Sequence, residues 1–256
     1  VYRQAPGSMI VTNAHRINRG EFPLFRGARD FFFIEAEDPD QVVQSVVAAV
    51  TSKLPRHLGC DPIDDVQVLS PMKRSAAGVD NLNAVLRDAL NPRRPGASEI
   101  RCRGSAFRRG DKVMQIRNDY DRLVWNGDMG KIVRIDAEEG EVVVRFSEPE
   151  GDRDVLYSQD ELDELALSYC VSIHKSQGSE YPAVVIPVTT QHYVMLQRNL
   201  LYTAVTRARR TVVIIGTKKA LAIAVRNASM LQRQTMLALR LREATAASWP
   251  DEEQIG

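Results

Sequence analysis

Two short stretches of this sequence carry the residue types that contact phosphate. The first is Ser172-Ile-His-Lys-Ser-Gln-Gly-Ser-Glu180, which lies between two apolar runs. Placed after a strand, it gathers hydroxyls, an imidazole, an ammonium and a glycine at the strand's carboxyl end, where open α/β sheets bind their ligands. Gly178 permits close backbone approach, and Ser172, Ser176 and Ser179 offer hydroxyls to phosphate oxygens. The same spacing also suits a plain polar loop around a tight turn, the commoner outcome for such residues. The second stretch is Arg198-Asn-Leu-Leu-Tyr-Thr-Ala-Val-Thr-Arg-Ala-Arg209, in which Leu200, Leu201, Ala204 and Val205 recur at helical spacing and Arg207 and Arg209 close the helix. An arginine there either satisfies the last carbonyls and the helix dipole or reaches a transferring phosphate across a cleft with its planar fork. Residue types alone leave both roles open.

These stretches need elements to hold them, and the periodicity supplies an alternating set. Helices are expected over Ser8 to Asn18, Asp40 to Leu54 and Val79 to Leu90, with strands at Phe31 to Glu35 and Val66 to Leu69. Alternating strands and helices argue for a parallel sheet covered on both faces. Asn91 to Gly96 is a breaker-rich boundary. Beyond it, strands are expected at Lys112 to Arg117, Gly130 to Asp136, Glu141 to Phe146 and Asp154 to Tyr157, with turns at Asn126-Gly127 and Glu139-Gly140. This reads as a small antiparallel barrel at 105–160. The α/β pattern then returns: strands at Leu167 to Ile173, Ala183 to Val188 and Thr211 to Gly216, and helices at Gln197 to Arg207, Lys218 to Asn227 and Leu231 to Ala244. The expected organisation is one discontinuous α/β domain, 1–104 and 161–246, interrupted by the barrel and followed by a flexible tail at 247–256.

Composition narrows the class. At 256 residues with a formal net charge of +1, the chain lacks the overall basicity of a nonspecific nucleic-acid coat, so any such binding must use a local track. Basic residues do cluster, at Arg101, Arg103, Arg108 and Arg109 and again at Arg207, Arg209 and Arg210. No apolar run approaches the roughly 18 residues of a membrane span, and the amino terminus has no signal pattern, so a cytoplasmic protein is expected. Cys60, Cys102 and Cys170 match neither a disulfide framework nor a zinc spacing and read as packing residues. No metal site is expected.

Taken together, the two phosphate-type stretches resemble motifs V and VI of superfamily 1 helicases, in the wording of the RecD-like DNA helicases. Tyr2-Arg-Gln-Ala5 with Asn13-Ala-His-Arg-Ile-Asn-Arg-Gly20 resembles motif IV and the helix after it. The resemblance continues through Leu69-Ser-Pro-Met-Lys73, Gly110-Asp-Lys-Val-Met-Gln-Ile-Arg-Asn-Asp-Tyr120 and Asn126-Gly-Asp128, in order, up to about Ala244. It implies a RecA-like second motor lobe, of the P-loop NTPase kind, with an SH3-like insertion. It implies that Arg3 and Arg207 reach the γ-phosphate of ATP, that Glu180 lies near the ribose, and that Gln177, Gly178 and Tyr202 line the same cleft. It implies a single-stranded DNA track at Ser70, Lys73, Ser172, His174, Lys175 and Ser176, with 5′ to 3′ movement. No Gly-x-x-x-x-Gly-Lys-Ser/Thr phosphate loop or acidic magnesium pair occurs in the sequence. The expectation is therefore a piece of a longer protein, whose amino-terminal lobe holds most of the ATP and Mg2+ and is this lobe's partner, and a piece that is inactive alone. Other exonuclease V subunits are further partners the resemblance brings. A conjugative relaxase, a noncatalytic helicase-like module and an RNA-directed helicase are the alternatives.

Overall fold

The computed structural model describes residues 7–96, 98–102, 104–148 and 151–228; Arg3, Arg103, the helix expected from Leu231 to Ala244 and the tail lie outside the described residues. In chain order the first half runs α1 (Met9–Asn18), β1 (Phe31–Glu35), α2 (Pro39–Ala48), α3 (Leu54–Leu58), β2 (Val66–Ser70) and α4 (Val79–Leu90). Then come β3 (Glu99–Cys102), β4 (Ser105–Arg108), β5 (Lys112–Gln115), β6 (Met129–Asp136), β7 (Glu141–Glu148), β8 (Gly151–Ser158) and β9 (Leu165–Leu167). The chain closes with β10 (Cys170–Ser172), β11 (Tyr181–Val188), α5 (Arg198–Val205), β12 (Ala208–Gly216) and α6 (Lys218–Arg226).

Five strands form one parallel sheet in the order β1-β12-β11-β2-β10. Its strands are apolar on both faces, as a sheet covered by helices requires. Val212 and Ile214 of β12 and Val184 and Ile186 of β11 face the core closed by α1, α5 and α6. Their chain neighbours Val213, Ile215 and Val185 face the opposite core, closed by α2, α3 and α4. The two-residue alternation of a strand thus feeds two cores at once. Gly216 ends β12 with φ +150°, and a Cβ there would stand 1.9 Å from the Val188 carbonyl oxygen, so no other residue fits. No helix among the described residues is long and apolar enough to cross a membrane.

The insertion has its own five-stranded antiparallel sheet, β8-β7-β6-β5-β9, and a β3–β4 hairpin. Val113, Ile132, Val142, Val144, Phe146 and Tyr157 are among the residues that fill its separate core. Gly130 is required there, because a Cβ would meet Val144 Cγ1 at 2.6 Å and the Arg145 carbonyl at 2.8 Å.

Two sequence expectations need correction. The strand expected from Leu167 to Ile173 is two strands in two sheets: β9 pairs antiparallel with β5, and β10 pairs parallel with β2. The chain changes sheets at Ser168 and Tyr169, where the Ser168 N–H donates to the Lys112 carbonyl at 2.9 Å and the Gln67 side-chain amide donates to both the Ser168 and Tyr169 carbonyls. Beside the barrel expected at 105–160, β3 pairs with β4 and β9 pairs with β5. Finally, the helix expected from Asp40 to Leu54 opens into a wider π turn over Ala49–Lys53 before α3. Pro55 lacks the N–H that would continue the α ladder, and Thr51 Oγ1 donates back to the Val47 carbonyl at 2.8 Å.

Candidate functional site

The carboxyl ends of β2 and β10 lie side by side, with Ser70 opposite Ser172. After β2 the chain wraps into a tight loop whose carbonyls cap the next helix: the Val79 and Asp80 N–H groups donate to Met72 and Lys73 at 3.0 and 3.1 Å. Gly78 allows the wrap, since a Cβ would stand 2.6 Å from Ser75 N and 2.7 Å from the Lys73 carbonyl. This fixes the backbone that presents Lys73. Ser70 itself is fully buried, and its hydroxyl is engaged by the Ala77 carbonyl at 2.8 Å. Ser176 is likewise buried and donates to the Ile173 carbonyl at 2.7 Å. Both serines, expected on the nucleic-acid track, shape the loops instead of reaching into solvent.

Lys73, Ser172 and Lys175 do come together. They line a groove of about 770 Å³ that runs between α4 and β10 on one side and Ser105, Ile116 and Leu165 of the insertion on the other. Burial, and then the neighbouring Lys73, push the Lys175 ammonium below the usual lysine range. An anion placed between the two lysines would relieve both effects. The groove is mixed in sign, as Asp80 and Asp163 also line it. His174 is exposed on the same turn but does not line the groove.

The second cluster lies at the other end of the sheet. Loop 173–180 leaves the carboxyl end of β10 and returns to the amino end of β11, where Tyr181 pairs with Ala208 at the start of β12. The polar segment therefore does not collect at one strand's carboxyl end; it spans the sheet from end to end. Gln177 and Gly178 are exposed on it, and Gly178 takes φ +91°. Arg207 ends α5 here: its Nε donates to the Thr203 carbonyl at 3.2 Å and its Nη1 to the Ser179 carbonyl at 3.1 Å. The Tyr181 N–H donates to the Arg207 carbonyl at 2.9 Å. Glu180 is ion-paired with Arg209 at 3.0 Å. Tyr202 is half-buried on the last turn of α5. Ser179, Glu180, Arg207 and Arg209 thus meet where the interior strands β11 and β12 begin, with Gln177 and Gly178 on the adjoining loop and Tyr202 on the last turn of α5. Among the described residues, no group of three or more His, Cys, Asp or Glu side chains could hold a metal ion.

One feature of the insertion has no counterpart among the sequence expectations. Between β5 and β6 a loop carries Tyr120 and Trp125 with their rings 5.3 Å apart and edge to face, both exposed. Leu123 adopts φ +55°, a left-handed conformation unusual for leucine. Arg153 holds it there by donating to the Arg122 and Leu123 carbonyls, and Arg122 is ion-paired with Asp119 and Glu161. Aromatic residue type alone does not separate an exposed ring from a buried one, so nothing in the sequence marked Tyr120 and Trp125 as a surface pair.

Comparison with known proteins places these elements among helicases. A family model described as the ATP-dependent RecD-like DNA helicase SH3 domain matches residues 82–146, and a UvrD-like helicase C-terminal domain model matches residues 167–215. The ATP-dependent RecD2 DNA helicase of Deinococcus radiodurans is 35% identical over 240 residues, covering 91% of this chain and 31% of that protein. The RecBCD enzyme subunit RecD of Mycolicibacterium smegmatis is 28% identical over 187 residues, covering 71% of this chain and 30% of that protein. The chain therefore spans about three tenths of the length of these relatives. Among solved structures, the Bacteroides Pif1 helicase in complex with ADP-AlF3 and single-stranded DNA shares the fold over 97% of this chain and 56% of its own, with a TM-score of 0.53 at 15% identity. The Candida albicans Pif1 helicase does so over 96% and 60%, with a TM-score of 0.52 at 16% identity.

Proposed function

The chain belongs to the RecD-like superfamily 1 helicases, matching their carboxy-terminal motor region, and from that premise we propose that it is the second motor lobe of an ATP-dependent helicase that moves on single-stranded DNA. Residues 7–96 and 168–228 would be the RecA-like lobe, and 99–167 its SH3-like insertion. The observation that carries the proposal is the course of loop 173–180. One end of this loop supplies Lys175 to the groove, and the other is bonded through the Ser179 carbonyl to Arg207. Eight residues thus tie a phosphate-type arginine to a basic groove across the sheet, the link a motor needs between nucleotide state and grip on DNA.

In this reading ATP, with Mg2+ and a phosphate loop on another lobe, supplies the free energy through phosphoryl transfer. The donors gathered here suit the phosphate side of that nucleotide: a planar guanidinium at Arg207, an exposed amide at Gln177, and open backbone at Gly178, where no atom lies within 4 Å of a would-be Cβ. Arg207 would swing from the Ser179 carbonyl to the γ-phosphate, with Arg3 as a second cation, while Glu180 and Tyr202 flank the nucleoside. Lys73, Lys175, Ser172 and His174 would hold DNA phosphates. Service as an exonuclease V subunit, in the cytoplasm, is the finer form of the proposal. A second reading, the helicase region of a conjugative protein, is favoured by a 32% identity over 103 residues to the probable conjugal transfer protein TraA of Sinorhizobium fredii.

The test uses the full-length protein. Lys73→Ala and Lys175→Ala should each weaken single-stranded DNA binding and flatten its salt dependence by about one unit of log K against log salt, leaving ATPase without DNA unchanged. Unchanged DNA affinity in both variants would remove the groove from the DNA path. The 256-residue chain alone should show no DNA-stimulated ATPase, and turnover comparable to the full-length enzyme would overturn the lobe assignment.

A further inference from the structure

The basic cluster around Arg108 and Arg109 takes no part in either site described above. With Arg93 and Arg94, these arginines line a second cleft, of about 1130 Å³, that shares no residue with the Lys73–Lys175 groove. Seven of its lining residues are Lys or Arg and none is Asp or Glu, in a chain whose net charge is only +1. Three of the seven are neutralised from outside the cleft wall: Arg108 by Asp88 and Glu99, Arg145 by Asp154, and Arg134 by Glu141. Arg93, Arg94, Arg109 and Lys131 have no ion-pair partner among the described residues.

The scaffold under these cations is built rather than loose. The Asp111 carboxylate accepts the Arg108 N–H and the Asn91 side-chain amide, both at 2.8 Å, and the same Asn91 amide donates to the Arg109 carbonyl at 3.1 Å. Gly110, at φ +91°, turns the chain between them. The turn that carries Arg109 is therefore clamped to the end of α4, next to the segment that carries Arg93 and Arg94. The same helix borders the groove along most of its length, through Val79, Asp80, Asn83, Ala84 and Arg87, and Asn91, just past its last turn, lines the cleft. Arg87 and Asn91 are four residues apart, a rise of about 6 Å, so one rigid helix sets the two sites side by side.

We infer that this cleft binds the phosphate backbone of duplex DNA beside the strand held in the groove. The chemistry separates it from a single-strand track. The groove mixes Lys73 and Lys175 with Asp80 and Asp163, whereas the cleft has cations and no acid, and neither is lined by an aromatic ring. Duplex DNA carries one charge per ~1.7 Å of its axis, twice the density of a single strand, with its phosphates facing out, so a cleft lined by cations alone suits the duplex. The inference rests on the helicase reading above, and it adds a second contact with the substrate at the junction where single strand meets duplex.

The test compares three DNA probes on the full-length protein by fluorescence anisotropy over a range of salt: a single strand, a blunt duplex, and the same duplex with a 5′ single-stranded tail. In the triple variant Arg93→Glu, Arg94→Glu, Arg109→Glu, all at exposed positions, affinity for both duplexes should fall at least about tenfold. The slope of log K against log salt should flatten by about 2 to 3 for three lost phosphate contacts, while single-strand affinity stays within about twofold of wild type. The triple Gln variant, with a melting temperature matched to wild type, should show the same pattern more weakly and guards against misfolding. Unchanged duplex affinity would overturn the inference, and an acidic protein segment as the true occupant would give that result. An equal loss on the single strand would also overturn it, by merging the cleft with the groove. A wild-type protein that binds blunt duplex through these arginines but no single strand would instead sink the helicase reading and leave the cleft standing.

Discussion

Arg207 ends α5 with its guanidinium turned onto two carbonyls, Thr203 and Ser179, so it already has a structural task. Replacing it with Ala should cost about 1 kcal/mol through those bonds and lower the melting temperature by a few degrees. If Arg207 also meets the γ-phosphate, DNA-stimulated turnover of the full-length enzyme should fall about a thousandfold or more. Arg207→Lys should keep the charge at the helix end, and part of the stability, yet recover little turnover, because an ammonium does not reproduce a planar fork. Lost stability with normal turnover would leave Arg207 as a clamp only. The sequence could place Arg207 at a helix end because the apolar spacing from Leu200 to Val205 fixes that helix. It could not show which hydroxyls turn inward. Ser70 and Ser172 sit opposite each other with the same side chain, yet the first is fully buried and the second lines the groove; only the wrap of the following chain decides between them.

Among the elements, those with a clean period were legible to the residue. β1 at Phe31–Glu35 and α4 at Val79–Leu90 form where the apolar pattern puts them, because each is an unbroken run of a single period, α4 packed on one core and β1 shared between the two. The crossing between β9 and β10 was not legible, since a continuous apolar run looks the same whether it lies in one sheet or two. Polar groups far away in sequence settle it. Lys112, at the start of β5, is buried and donates to the Ile63 carbonyl at 2.6 Å beside β2, and Tyr169 donates to Asp111 at 3.0 Å. Together they pin the two sheets. Asp111→Ala should cost about 1 to 3 kcal/mol by stripping partners from the buried Tyr169 hydroxyl and Arg108 N–H, measurable by denaturant unfolding; a loss below about 0.5 kcal/mol would remove Asp111 from the clamp. Burial lowers the Lys112 ammonium to about 8, partly offset by Asp64, Asp61 and Asp65. The unfolded chain then binds more protons than the folded one between pH 8 and the ordinary lysine value, so this group's contribution to stability rises with pH across that window. Lys112→Met should abolish that rise, which scales to an order of about 3 kcal/mol if the full shift is realised. A pH profile identical to wild type would show that Lys112 titrates normally.

For the whole molecule, the two sites and the second cleft are distributed around one rigid frame: α4 joins groove to cleft, and loop 173–180 joins groove to Arg207. Tyr120→Ala with Trp125→Ala should therefore leave the fold intact, since both rings are exposed, and stability within about 0.5 kcal/mol of wild type by thermal unfolding would agree with that placement. A large loss would mean the rings support the barrel. The order of strands carries a consequence in time. Phe31 of β1 pairs with Val212, and Val66 of β2 with Ala183, so neither early strand has its neighbour until more than a hundred further residues have been made. β5 to β8, by contrast, are joined by consecutive hairpin pairings. On a growing chain the insertion can close while the lobe that surrounds it is still open, because local contacts form before distant ones. Pulse-labelled hydrogen exchange during refolding should protect amides of β6 and β7 before those of β1 and β2. The segment that entered the sequence as an interruption would then close before the lobe that surrounds it, and β1 and β2 would wait beside it for the partners that arrive last.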